Sequence, residues 1–78
     1  MKKTLDNYRI GESGVICDVR AEGNIRRRLF DMGVTQGAQV TLRKKAPLGD
    51  PYEITLRGYE LTLRRAEAAC IVTEVEHD

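Results

Sequence analysis

Apolar and polar positions alternate most regularly between Tyr52 and Arg64, where Ile54 and Leu56 precede Gly58-Tyr59 and Leu61 and Leu63 follow it. A period of two is the mark of a strand with one buried face. Glycine at the first of two central positions suits a type II′ turn, which needs positive φ there. The segment therefore predicts a hairpin pairing Arg57 with Glu60, Leu56 with Leu61, Thr55 with Thr62, Ile54 with Leu63 and Glu53 with Arg64. Its apolar face faces a core. Its wet face carries two opposite-charge pairs and a Thr–Thr pair, each contributing about 0.2–1 kcal/mol relative to Ala–Ala.

The same alternation predicts strands over 14–20, 38–43 and 71–76. In the first, Val15, Cys17 and Val19 share the face expected to be buried, leaving Ile16 with Asp18 and Arg20 on the other. Upstream, Leu5, Tyr8 and Ile10 are placed to dock onto the sheet before a turn over 11–14. Ile25, Leu29 and Met32 recur at i, i+4 and i+7, the spacing of a helical stripe. Asn24 is the expected N-cap and Gly33 the left-handed stop. So short a helix is unstable alone and must lean its stripe on the sheet. Residues 65–69 are rich in helix formers and predict one helical turn.

The outcome is a mainly β chain of about five short antiparallel strands, one short helix and one helical turn. In one domain spanning residues 1–78, such strands most economically close into a small SH3-like antiparallel barrel, which removes exposed edges.

Charge narrows the choice of partner. Thirteen Lys and Arg against twelve Asp and Glu leave a formal net charge of +1, without the basic excess of a nucleic-acid binder. The longest apolar run, Ala68-Ala69-Cys70-Ile71-Val72, falls far short of the ~20 residues that cross a bilayer. Met1-Lys2-Lys3 leads into polar residues rather than an apolar stretch, so no secretion signal is expected and the default location is cytoplasmic.

Candidate chemistry is sparse. Cys17 and Cys70 lie far apart, and a cytosolic pair is expected to stay reduced. The sole histidine, His77, reads as an exposed tail residue, which leaves no closely spaced Cys and His pairs for zinc and no base beside a cysteine nucleophile. Gly33 to Gly37 lacks the Gly-Lys-Ser/Thr of a phosphate loop. No catalytic residue, resident metal or cofactor is expected.

Recognition features are richer. Arg26-Arg27-Arg28 fan over about 200° of a helix, so they read as a solvated flank or as a pair facing an acidic surface. Arg43-Lys44-Lys45 pose the same choice. Phe30 lies one position off the apolar stripe, at the core edge or in contact with another protein. Pro47 and Pro51 bracket Leu48-Gly49-Asp50 and stiffen the loop. Its Leu48 either folds back onto the barrel or is presented to a partner at little ordering cost.

Four segments appear in order: Leu5…Ile10-Gly11-Glu12-Ser13-Gly14; Arg28-Leu29-Phe30-Asp31-Met32-Gly33-Val34…Gly37; Ala46-Pro47-Leu48-Gly49-Asp50-Pro51; and Leu61…Leu63-Arg64…Glu67-Ala68. Together they resemble the ferrous iron transport protein A family, FeoA, over nearly the whole chain. The resemblance implies an SH3-like barrel and an accessory role in prokaryotic ferrous iron uptake. The implied partner is FeoB, a membrane transporter with a cytosolic GTP-binding domain, so the membrane is reached only through that partner. Arg27, Phe30, Leu48, Gly49 and Asp50 are the expected contact residues. The competing readings are a barrel that binds RNA through Arg26–Arg28 and 43–45, or one that senses a transition metal through Cys17 or His77.

Overall fold

The structure, a computed structural model, describes residues 1–75. Its strands are β1 (Lys2–Thr4), β2 (Ser13–Val19), β3 (Gln39–Lys45), β4 (Tyr52–Leu56), β5 (Tyr59–Leu63) and β6 (Ile71–Glu74). Helix α1 spans Gly23–Asp31, α2 spans Arg65–Ala68, and a 3-10 turn covers Leu5–Asn7. All six strands join one antiparallel sheet in the order β1-β6-β2-β3-β4-β5, curled as an SH3-like barrel around Leu5, Tyr8, Leu29, Leu42, Ile54 and Ile71. The mainly β class expected from the sequence holds. The added strand is β1, too short at three residues to show a period. His77, expected in an exposed tail, and the end of the strand expected to reach Glu76 lie outside the described residues.

The β4–β5 hairpin forms, but in a different register. Leu56 pairs with Tyr59, Ile54 with Leu61 and Tyr52 with Leu63, so the turn is centred on Arg57-Gly58 rather than Gly58-Tyr59. Both central residues have positive φ, 49° and 88°, which is a type I′ turn. The expected Arg57–Glu60 and Glu53–Arg64 pairs are therefore absent, and Glu53 faces Thr62 while Thr55 faces Glu60. Sliding the partner by two residues leaves every side chain on the same face, so the hydrophobic pattern alone cannot separate the two registers. Left-handed backbone costs a non-glycine residue roughly 1–2 kcal/mol. Against that cost, Arg57 Nη2 donates to Thr35 Oγ1 at 2.7 Å.

β2 also departs from simple alternation. Ile16 is buried and Val15 is 45% exposed, the reverse of the expected phase. A bulge between Ile16 and Asp18 then restores Val19 to the core and leaves Cys17 half-buried, its Sγ donating to the Val72 carbonyl at 3.4 Å. The extra residue lets one strand present core side chains three positions apart.

In α1 the first helical residue is Gly23, so Asn24 lies inside the first turn and no side chain caps it. Leu29 alone of the Ile25–Leu29–Met32 stripe is fully buried; Met32 is half-buried and Ile25 is exposed. Gly33, at φ +92°, closes the helix as expected.

The segment before β2 packs under the barrel through Leu5 and Tyr8, while Ile10 points to solvent. The Tyr8 hydroxyl hydrogen-bonds the buried Thr73 hydroxyl, and Gly14 leaves room above it: a Cβ there would strike Tyr8 Oη and lie 2.9 Å from the Glu74 carbonyl. Burial pushes the Tyr8 phenol above its ordinary value. Nearby, Glu12 accepts the Arg9 amide at 2.9 Å and the Lys3 ammonium at 2.9 Å, and these hold its carboxyl below the ordinary glutamate range.

A carboxyl whose folded pKa is depressed stabilises the fold above its unfolded pKa and loses that contribution as pH falls through the folded one. Glu12→Gln is expected to cost about 1.5–2 kcal/mol at neutral pH, the low end of the range for hydrogen bonds to a charged group. The deficit should shrink as pH drops below the ordinary glutamate range. Urea melts of both proteins across that range check this, and a deficit independent of pH would refute it.

Candidate recognition surface

Three elements converge on the four-residue helix α2. From the proline loop, Asp50 Oδ1 accepts the Arg65 amide at 3.0 Å. From α1, Arg28 Nη1 lies 3.3 Å from Glu67 Oε2, and the Glu67 carboxylate, which is 7% exposed, also accepts the Arg64 amide at 2.9 Å. From the 3-10 turn, the Asp6 carbonyl accepts the Tyr52 hydroxyl at 2.9 Å, and the same turn packs on α2. A helix of one turn has no stability of its own. These contacts hold it, and through it α1 and the loop take fixed positions.

The loop itself is closed locally. Gly49 N donates to the Ala46 carbonyl at 2.7 Å and Ala46 N donates to the Pro51 carbonyl at 3.0 Å. The first bond closes a β-turn with Pro47 at its second position, where the ring already fixes the required φ. The Asp50–Pro51 peptide is cis. This frame drives Leu48 outward: its side chain is 95% exposed and does not fold back onto the barrel.

The three arginines of α1 divide by direction, as helical geometry demands. Arg28 turns to Glu67. Arg26 turns the other way, donating to the Val19 carbonyl at 2.9 Å while its guanidinium sits 4.9 Å from the Phe30 ring centroid. Arg27 is exposed and makes no side-chain hydrogen bond or ion pair among the described residues. Phe30 is 40% exposed, matching its position off the stripe.

Beside the Arg26–Phe30 stack, a small depression of about 140 Å³ is lined by Cys17, Val19 and Gln36. A more open groove of about 800 Å³ runs past Ala21, Ile25 and Cys70. The surface is thus mixed in character, with an exposed ring, exposed aliphatic side chains and a free guanidinium.

Of the residues singled out in the sequence, Arg27 and Phe30 lie on α1, and Leu48, Gly49 and Asp50 lie on the loop. The structure ties both groups to α2. Asp50 has a structural duty besides, since one carboxylate oxygen is committed to Arg65. The sequence does not announce the Arg28–Glu67 pair, which joins residues far apart along the chain. Ile25, expected in the core, instead lines the groove.

Among the described residues no three His, Cys, Asp or Glu side chains gather as a metal site. Among them too, no helix is long and apolar enough to cross a membrane.

A family model for the FeoA domain matches residues 3–75. The Fe(2+) transport protein A/Fe(2+) transporter FeoB fusion protein of Porphyromonas gingivalis is 35% identical over 71 residues, covering 91% of this chain and 8% of that protein. The chain therefore corresponds to a small part of that relative. The FeoA-like protein of Clostridium acetobutylicum superposes with a TM-score of 0.88 at 37% identity, over 99% of this chain and 92% of that one. The FeoA of Stenotrophomonas maltophilia, a procaryotic SH3 domain protein solved with zinc, does so with a TM-score of 0.80 at 29% identity, over 92% and 89%.

The α2 contacts are open to a direct check. Arg28→Ala leaves the buried Glu67 carboxylate short of one partner and is expected to cost about 1 kcal/mol, since the lost guanidinium is itself half-exposed. Amide exchange should rise in α2 and at its neighbours in α1. Unchanged exchange at both would show that the pair does not hold the helix.

Proposed function

The chain belongs to the FeoA domain family, and on that footing we propose that it is a non-enzymatic accessory protein of ferrous iron uptake. It docks on the cytosolic part of an FeoB-type transporter and modulates that partner's assembly or activity. The observation that carries this reading is the fusion relative, in which a domain 35% identical to this one is covalently joined to FeoB. Fusion makes an encounter intramolecular, at an effective concentration of about a millimolar for a short flexible linker.

Arg27, Phe30 and the loop Leu48-Gly49-Asp50 are suited to that task. Aromatic and arginine side chains dominate interface energetics when they become desolvated. Leu48 stands on a loop already ordered by its own hydrogen bonds, so burying it costs little conformational entropy. The Asp50–Arg65 and Arg28–Glu67 contacts keep the two patches in register. Such docking places the chain in the cytoplasm, next to the membrane without entering it.

Titration of the cytosolic domain of FeoB from the same source, with GDP and with a non-hydrolysable GTP analogue, tests the reading. Binding is expected in at least one nucleotide state. Phe30→Ala and Leu48→Ser, both at exposed positions, should each weaken it by about tenfold, or ~1.4 kcal/mol, without lowering the melting temperature. Wild-type affinity retained by the double variant would remove these residues from the contact. No binding of the wild-type protein in either state would overturn docking on that domain.

A further inference from the structure

The two outer strands of the sheet are protected very differently. β1 is three residues long and carries Lys2 and Lys3, the kind of short, lysine-bearing strand that discourages pairing with another chain. β5, Tyr59-Glu60-Leu61-Thr62-Leu63, is five residues of strand-forming sequence with no lysine, proline or bulge. Among the described residues, β4 is the only strand that pairs with it.

Because the Arg57-Gly58 turn is two residues long, the backbone groups of Tyr59, Leu61 and Leu63 bond to β4. Those of Glu60 and Thr62 point outward. Neither residue's amide or carbonyl finds another backbone partner among the described residues. Tyr59 is 48% exposed and Leu61 half-buried at this same edge.

From this edge we infer that β5 pairs with β5 of a second copy of the chain, antiparallel about a two-fold axis through Leu61. The sequence is self-complementary in that register. Glu60 of each copy meets Thr62 of the other, so all four outward groups of each strand are used in four hydrogen bonds, and no like charges stand directly opposite. Leu61 faces Leu61 across the axis and Tyr59 faces Leu63, which covers the exposed parts of Tyr59 and Leu61. The neighbouring two-fold registers are worse. One sets Glu60 against Glu60. The other calls on the amide of Arg64, which is already donated to Glu67.

Four hydrogen bonds and a few apolar contacts make a small interface, so the dimer is weak and concentration-dependent. It needs no transporter domain to form.

Sedimentation velocity on the full chain at rising concentration tests the inference, with no partner present. A reversible monomer–dimer equilibrium is expected. Thr62→Pro removes one outward amide without touching a bond to β4, and should raise the dissociation constant at least about tenfold at unchanged secondary structure. As a second test, Leu61→Cys in a Cys17→Ser, Cys70→Ser background should give a disulfide-linked dimer on mild oxidation, whereas Glu60→Cys should not. A wild-type protein that stays monomeric to about millimolar concentration would overturn the inference. Equal cross-linking of the two cysteine variants would overturn the register. Loss of transporter-domain binding in Thr62→Pro while the wild type remains monomeric would overturn the second copy as occupant and assign the edge to that partner.

Discussion

The bulge in β2 is the constraint on which the rest of the molecule depends. This strand is the seam of the sheet: Ser13, Gly14 and Val15 pair with β3, and Val15 to Val19 pair with β6. A small sheet can enclose a core only if such a seam bends sharply, and an inserted residue supplies the bend by increasing local twist. Here it lets Ile16 and Val19 both enter the core and turns Cys17 partly and Asp18 fully outward. Those outward positions become the floor beside α1. The Val19 carbonyl, at the end of the bulged strand, receives Arg26, and the same guanidinium stacks on Phe30.

Much of this architecture was legible in the letters, and the misses share a cause. Regular alternation over β3, β4 and β5 announced strands and a hairpin, and the composition of 65–69 announced α2. What periodicity cannot encode is a shift that leaves the period intact or a residue that interrupts it. The hairpin register slid by two, which preserves both faces, and the decision fell to the tolerance of Arg57 for positive φ. In β2 the run Val15, Cys17, Val19 looked like a core face because the bulge that inverts its first half has no compositional signal.

The candidate surface was legible in a different measure. Phe30 was marked by its offset from the helical stripe and Leu48 by its prolines, and both are exposed. The contacts that position them are long-range. Asp50 to Arg65 and Arg28 to Glu67 join residues separated by a β-hairpin or more, and a single sequence gives no warning of them. That split is general. Local chemistry nominates side chains for recognition, whereas tertiary contacts decide which of them act together.

Tyr59 connects two regions that have so far been treated apart. Its hydroxyl donates to the Met32 carbonyl at 3.4 Å, at the end of α1, while its ring lies along the open edge of β5. Any ligand that shifts this ring acts on both places at once. Linkage then requires reciprocity: whatever factor occupancy of the β5 edge imposes on affinity at α1, occupancy at α1 imposes on the edge. The barrel would then work as a two-input element, with one aromatic side chain carrying the coupling between its inputs.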